Sequence, residues 1–175
     1  MESLCGASLR VAKCDTMSAR THRMFTICQD DLSSEATRSL IRLHLDEMYA
    51  NSPPENVFAL DLSGLQGADV TVWSAWSAGA IAGIGALRDL GAHHGELKSM
   101  RTHPQFLRRG VASLLLEHII CVARARGMTR ISLETGTGPA FEPALALYRG
   151  RGFVDGGAFA HYQPSAFNLF LHRSL

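Results

Sequence analysis

The sequence predicts an α+β domain on a mixed sheet, and three observations lead there. Residues 70–102 hold three strand-like runs separated by tight-turn signals, the pattern of an antiparallel meander. Gly110 then opens a strongly amphipathic helical stretch ending at Gly127, and Thr129 to Leu133 follows as another strand. Residues 96–133 are thus a strand–helix–strand unit, whose connection should be right-handed and whose strands should be parallel or nearly so. Finally, 175 residues with 46% hydrophobic and 19% charged side chains suit one globular domain that can bury a core.

Taken in order, residues 1–23 are polar and aperiodic, and are expected to be a disordered arm outside a single domain spanning 24–175. Met24 to Gln29 reads as a short strand. The run Asp30-Asp31-Leu32-Ser33-Ser34 supplies capping side chains before a helix to about Ala50, on which Ala36, Leu40, Ile41, Leu45 and Met48 recur at helical spacing; Pro53-Pro54 stops it. An irregular stretch covers 57–67, and the meander strands are Val70 to Trp76, Gly79 to Leu87 and Glu96 to Thr102. The long helix buries Val111, Leu114, Leu115, Ile119, Val122 and Ala123. A shorter helix spans Glu142 to Arg151, with Pro143 in its first turn and Gly152 beyond its end; Phe153 to Val154 and Ala166 to Leu171 close the sheet.

Composition excludes several classes. No apolar run reaches the roughly 18 residues that cross a bilayer, and Arg10, Lys13, Arg20 and Arg23 interrupt any secretory leader, so a cytoplasmic protein with no membrane partner is expected. Cys5, Cys14, Cys28 and Cys121 form no Cys-x-x-Cys pair and read as reduced thiols, while His93-His94 lacks the further ligands a metal site needs. The net charge of +1 hides an asymmetry: residues 1–97 carry 7 Lys/Arg against 12 Asp/Glu, and residues 98–175 carry 10 against 4. The second half favours an anion. Its arginines are not interleaved with aromatics, so a small phosphorylated ligand fits better than nucleic acid.

The segment Leu107-Arg108-Arg109-Gly110-Val111-Ala112-Ser113 lies between a strand and the amphipathic helix. Unpaired N–H groups at the helix start, small residues at Gly110 and Ala112, and the charges of Arg108 and Arg109 together form a cradle for a pyrophosphate. A basic loop that merely caps a helix is the plain alternative. Gly79-x-x-x-Gly83-x-Gly85 is glycine-rich too, but it falls inside a strand with no helix after it, which is the wrong setting for a dinucleotide fingerprint.

Around this loop, Glu96 to Pro104, Leu133-Glu134-Thr135-Gly136 and the pattern Ala144-x-x-x-Tyr148-x-x-x-Gly152-Phe153 resemble the acetyl-CoA-binding motifs of the GNAT acyltransferase superfamily, the last being the most specific. The resemblance runs from about Met24 to the C-terminus. His44-x-x-x-Met48-x-x-x-Ser52-Pro53, Ala59-Leu60-Asp61-Leu62 and Tyr162-Gln163-Pro164 are similar to a bacterial subgroup, some members of which are described as indoleacetic-acid acetyltransferases. The resemblance implies a mostly antiparallel central sheet with a splayed parallel strand pair, flanked by helices. It implies acetyl-CoA as cofactor, no metal, and an amine of a small molecule or a peptide as acceptor, and it allows a homodimer.

Carried over residue by residue, Met100, Arg101 and Thr102 would meet the pantetheine arm, and residues Leu107 to Ser113 the pyrophosphate. Tyr148 matches the superfamily tyrosine that protonates the departing thiolate. For the base that deprotonates the acceptor, Glu96 ranks first, eleven positions before Leu107 and matching the glutamate that some members of the superfamily use through a water, followed by Glu134 and His103. Each has a plain structural alternative: a core tyrosine, a strand-edge charge, a turn cap. Lys98 shares a strand face with Glu96 and could hold an acceptor carboxylate, and His44 and Met48, one helical turn apart, could line the acceptor pocket. Two departures stand out. Leu107 replaces the usual Gln or Arg, and Phe141 stands near the place of a pantetheine-binding asparagine. They keep open a non-catalytic acyl-CoA-binding regulatory module, and more weakly a binder of another phosphorylated nucleotide.

Overall fold

A computed structural model describes residues 24–175, and the expectation of a disordered arm over 1–23 lies outside them. Seven strands, β1 (Thr26–Gln29), β2 (Val70–Ser77), β3 (Ala80–Asp89), β4 (His94–Thr102), β5 (Arg130–Gly136), β6 (Val154–Gly156) and β7 (Asn168–Ser174), form one sheet in the order β1-β2-β3-β4-β5-β7-β6. Every pairing is antiparallel except β4 with β5, which is parallel. The helices are α1 (Glu35–Asn51), the single-turn α2 (Leu62–Leu65), α3 (Val111–Ala125) and α4 (Glu142–Arg149). The expected α+β class and splayed parallel pair are therefore present.

Local chemistry explains the elements. Ala78 and Gly79, both at positive φ, join β2 to β3 in a two-residue turn whose twist suits a hairpin. Asp30 ties the entry to α1, accepting from the Leu32 N–H and the Thr37 hydroxyl at 2.8 and 2.9 Å. Helix α2 appears within the stretch read as irregular because the Asp61 carboxylate accepts from the Gly64 N–H at 2.8 Å, a cap that a four-residue pattern hides. Strand β7 starts at Asn168 rather than Ala166, since Ser165 and Asn168 bond each other through side chain and backbone.

The sheet is covered on both faces. Leu40 and Ile41 of α1 pack with Val72, Ile84 and Ala86, and the apolar side of α3 packs with Leu87, Leu97, Ile131 and Leu133. The glycines of β3 belong to this packing. A Cβ on Gly83 would sit 2.8 Å from the Val111 side chain, and one on Gly85 would meet Ile119 at 3.0 Å, so their absence lets α3 lie close on the sheet. Cys28, on the edge strand β1, is disulfide-bonded, so the expectation of reduced thiols does not hold for it, whereas Cys121 is not in a disulfide.

One irregularity positions the site. Ala86 pairs with Lys98 and Ile84 with Arg101, so Ser99 and Met100 together oppose Gly85, and Ser99 takes a φ of 51°. This bulge bends β4. Its parallel ladder with β5 covers only His94 to Glu96 against Arg130 to Ser132; beyond it the strands diverge, and neither supplies the other's hydrogen bonds across the gap.

Candidate active site

The loop Leu107 to Ser113 makes a left-handed turn into the start of α3. Arg108 and Gly110 both take positive φ, 60° and 85°, and α3 begins immediately afterwards with no side chain capping it. The first N–H groups of the helix, at Val111, Ala112 and Ser113, thus point out of its end without an intrahelical acceptor. Gly110 is the residue that makes the turn strain-free. Leu107 is 58% exposed, so it is no core anchor, and the Arg109 guanidinium lies 5.5 Å over the Phe106 ring.

Beside the split between β4 and β5 is an open cleft of about 180 Å³. Its walls come from Lys98 to Arg101, Leu133 to Gly136, His44 and Met48 of α1, residues 56–59, and Phe141, Ala144 and Tyr148 at α4. Of the residues singled out in the sequence, the cleft brings together His44, Met48, Lys98, Met100, Arg101, Glu134 and Tyr148. Residues 107–113 and His103 are not among its walls; His103 instead caps the turn before the loop, accepting from the Gln105 N–H at 3.3 Å.

Burial tunes the titratable groups. Desolvation pushes the Glu134 carboxyl up to about 7; Lys98 opposes the rise and Glu96 adds to it. Burial likewise pushes the Tyr148 hydroxyl well above its ordinary range, so it keeps its proton at neutral pH. His44 is lowered to about 4 by burial and then by Arg101, and is a neutral imidazole whose Nδ1 has no partner among the described residues. Arg101 is tied to Glu47 of α1 in a two-pronged ion pair.

Glu96 and Lys98 sit differently from their expected roles. Glu96 is 0% exposed and does not line the cleft; its Oε1 accepts from the Tyr162 hydroxyl at 2.5 Å. The Lys98 ammonium spends its donors on the protein, bonding the Phe58 carbonyl at 2.9 Å and the Tyr162 hydroxyl oxygen at 2.7 Å, with Glu96 Oε1 at 3.4 Å. Two of its three N–H donors are thus used within the protein, while its side chain also lines the cleft. Tyr162 had no role in the sequence reading, and the one signal that could have found it was its place in Tyr162-Gln163-Pro164. Phe141 packs its ring against Phe167 at 5.6 Å and fills the space beside Gly136, so an apolar wall stands where a polar contact to pantetheine was in question.

Among the described residues, no helix is long and apolar enough to cross a membrane, and no cluster of three metal-ligating side chains occurs. The model of the acetyltransferase (GNAT) family matches residues 37–153. The chain is 49% identical over 152 residues to the uncharacterized N-acetyltransferase YedL of Escherichia coli, covering 87% of this chain and 96% of that one. It is 46% identical over 146 residues to the uncharacterized N-acetyltransferase YsnE of Bacillus subtilis, 83% and 97% covered, and 34% identical to the IAA acetyltransferase of Azospirillum brasilense, 86% and 97% covered. In structure it resembles an acyl-CoA N-acyltransferase of Klebsiella pneumoniae, with a TM-score of 0.70, 26% identity, and coverage of 87% and 98%. A GNAT family acetyltransferase of Elizabethkingia anophelis with acetyl-CoA bound shares the fold, with a TM-score of 0.62, 16% identity, and coverage of 86% and 98%.

Proposed function

We propose, for a chain that belongs to the GNAT acetyltransferase family and is an N-acetyltransferase, that it moves an acetyl group from acetyl-CoA to a primary amine of a small molecule or a peptide. The observation that carries this reading is the placement of Glu134 and Tyr148 in one cleft at the β4–β5 split. The residues present suit acetyl-CoA. The left-handed turn at Arg108 and Gly110 aims backbone N–H groups outward where a pyrophosphate is to be held, and the diverging strand carrying Met100, Arg101 and Thr102 offers main-chain groups to the pantetheine amides. When bound, acetyl-CoA supplies a thioester, an acyl group already activated toward an amine.

The chain's own residues handle the protons. The amine nitrogen forms a bond to the acyl carbon, and Glu134 accepts the proton that the nitrogen must lose. With its carboxyl near 7, Glu134 is part ionised and still basic at neutral pH. Tyr148 holds its proton at the hydroxyl oxygen and gives it to the sulfur as the carbon–sulfur bond breaks, leaving free thiol. Glu96 is sealed beneath Tyr162 whereas Glu134 lines the cleft, which favours Glu134 over Glu96, even acting through a water, as base. Met48 and His44 form the acceptor side of the wall.

The test is CoA thiol release from acetyl-CoA against a panel of amino acids, polyamines and short peptides with free N-termini. At least one acceptor should raise release well above the buffer rate. Tight CoA binding with no amine-dependent release across the panel would overturn the amine reading.

A further inference from the structure

The catalytic reading leaves unexplained why a charged pair is buried one strand position from the split. Glu96 and Lys98 alternate with Leu97 on β4, so both project from the same face. Glu96 is the last β4 residue in the parallel ladder, paired with Ser132; continuing that register places Lys98 opposite Glu134, the first pair on that face where the strands have come apart. Both charges are sealed, at 0% and 8% exposure, and Tyr162, at 4%, bridges them: its oxygen accepts from Lys98 and its hydroxyl donates to Glu96. Lys98 also bonds the Phe58 carbonyl, and the Phe58 and Tyr162 rings meet edge to face at 5.0 Å. Three distant segments, β4 and the loops carrying Phe58 and Tyr162, are joined at one point.

We propose that Glu96 and Lys98, bridged by the Tyr162 hydroxyl, are a positioning pair: buried counter-charges that pin the two acceptor-side loops to β4 and set the electrostatic field in which Glu134 works. The inference rests on Glu134 as the base. Burying two charges is costly, and a pair of this kind adds little stability over an apolar replacement, so its value here lies in the field and the geometry it imposes. Glu134 also faces Tyr162, Tyr148 of α4, the neutral His44 of α1, and Arg101 with its partner Glu47. Among these, Lys98 favours the ionised carboxylate and Glu96 opposes it. The two charges therefore act on the base in opposite directions.

The experiment reads Glu134 directly and needs no acceptor. Full-length protein labelled with 13C at the glutamate carboxyl is titrated by NMR, the Glu134 resonance being assigned by its loss in Glu134→Gln. Relative to the native chain, the midpoint should rise by about one pH unit in Lys98→Gln and fall by a similar amount in Glu96→Gln. In the double variant, where neither charge is left alone, it should return to within about half a unit. Midpoints that stay put, or move the same way in both single variants, overturn the proposal. Should a single variant fail to fold, the double variant decides: a midpoint displaced by more than a unit overturns it. A Glu134→Gln protein that retained full CoA release would remove Glu134 as base without touching this titration, so the two readings fail separately.

Discussion

At one end of the β4–β5 split the chain offers main chain, and at the other it offers buried side chains. The loop of Leu107 to Ser113 is a contiguous run whose donors are backbone N–H groups, set by two positive-φ residues at the mouth of α3. The cleft around Glu134 collects walls from α1, β4, β5, α4 and the loop at 56–59, and the function of its carboxyl depends on how dry those walls keep it. A backbone site tolerates side-chain change and responds to conformation; a side-chain site responds to single atoms. The contrast is open to direct tests.

The largest effect should come from the dry end. Glu134→Gln keeps the shape and removes the proposed base, so kcat is expected to fall by roughly 10²–10³ and the rise of activity with pH through about 7 should disappear. Calorimetric affinity for CoA should stay within about twofold, because the loop at 107–113 is untouched. A comparable loss of CoA affinity would mean that the two ends are not separate. Next comes Tyr148→Phe, which removes one hydroxyl proton from a buried ring and should lower kcat by about 10–10² while KM for acetyl-CoA barely moves.

The same contrast explains what the sequence revealed. The cradle loop, the helix after it and the order of sheet elements were legible because each is local: periodicity, a glycine at the turn, and a strand–helix–strand connection. Tyr148 was legible because it sits in a spaced pattern with Gly152 and Phe153. The ranking of Glu96 over Glu134 came from its position relative to the loop in the family resemblance, and the carboxylate role for Lys98 from strand spacing; neither tells what covers a side chain. Tyr162, 66 and 64 residues from its two partners, covers both, and no local pattern announces such a contact. The glycines of β3 stood out in the sequence, but their service to α3 needed the packing itself.

A smaller effect is expected from the main-chain end. Gly110→Val forces a β-branched residue into φ of 85°, a conformation that costs it roughly 1–2 kcal/mol, and relaxing that strain turns the N–H groups away. Affinity for CoA should drop about tenfold, and the NMR midpoint of Glu134 should remain where it is. A shifted midpoint would show that the loop and the cleft are coupled through α3.

The smallest effect concerns stability, and it turns the buried Glu134 carboxyl into a liability. Glu134 ionises near 4.5 in the unfolded chain and near 7 in the folded one, so between those values unfolding releases a proton that the native state retains. Stability is at its full value below about pH 4.5 as far as this group is concerned, and falls as pH rises toward 7. The shift sets an upper bound of about 3 kcal/mol, and because Glu134 borders an open cleft the realised cost should be on the order of 1 kcal/mol. Glu134→Gln, which never pays it, should therefore be more stable than the native chain at pH 8 and lose that advantage at pH 4, with midpoints of urea unfolding as the readout. Equal stability at both pH values would place the carboxyl in water and take away the physical ground for its basicity.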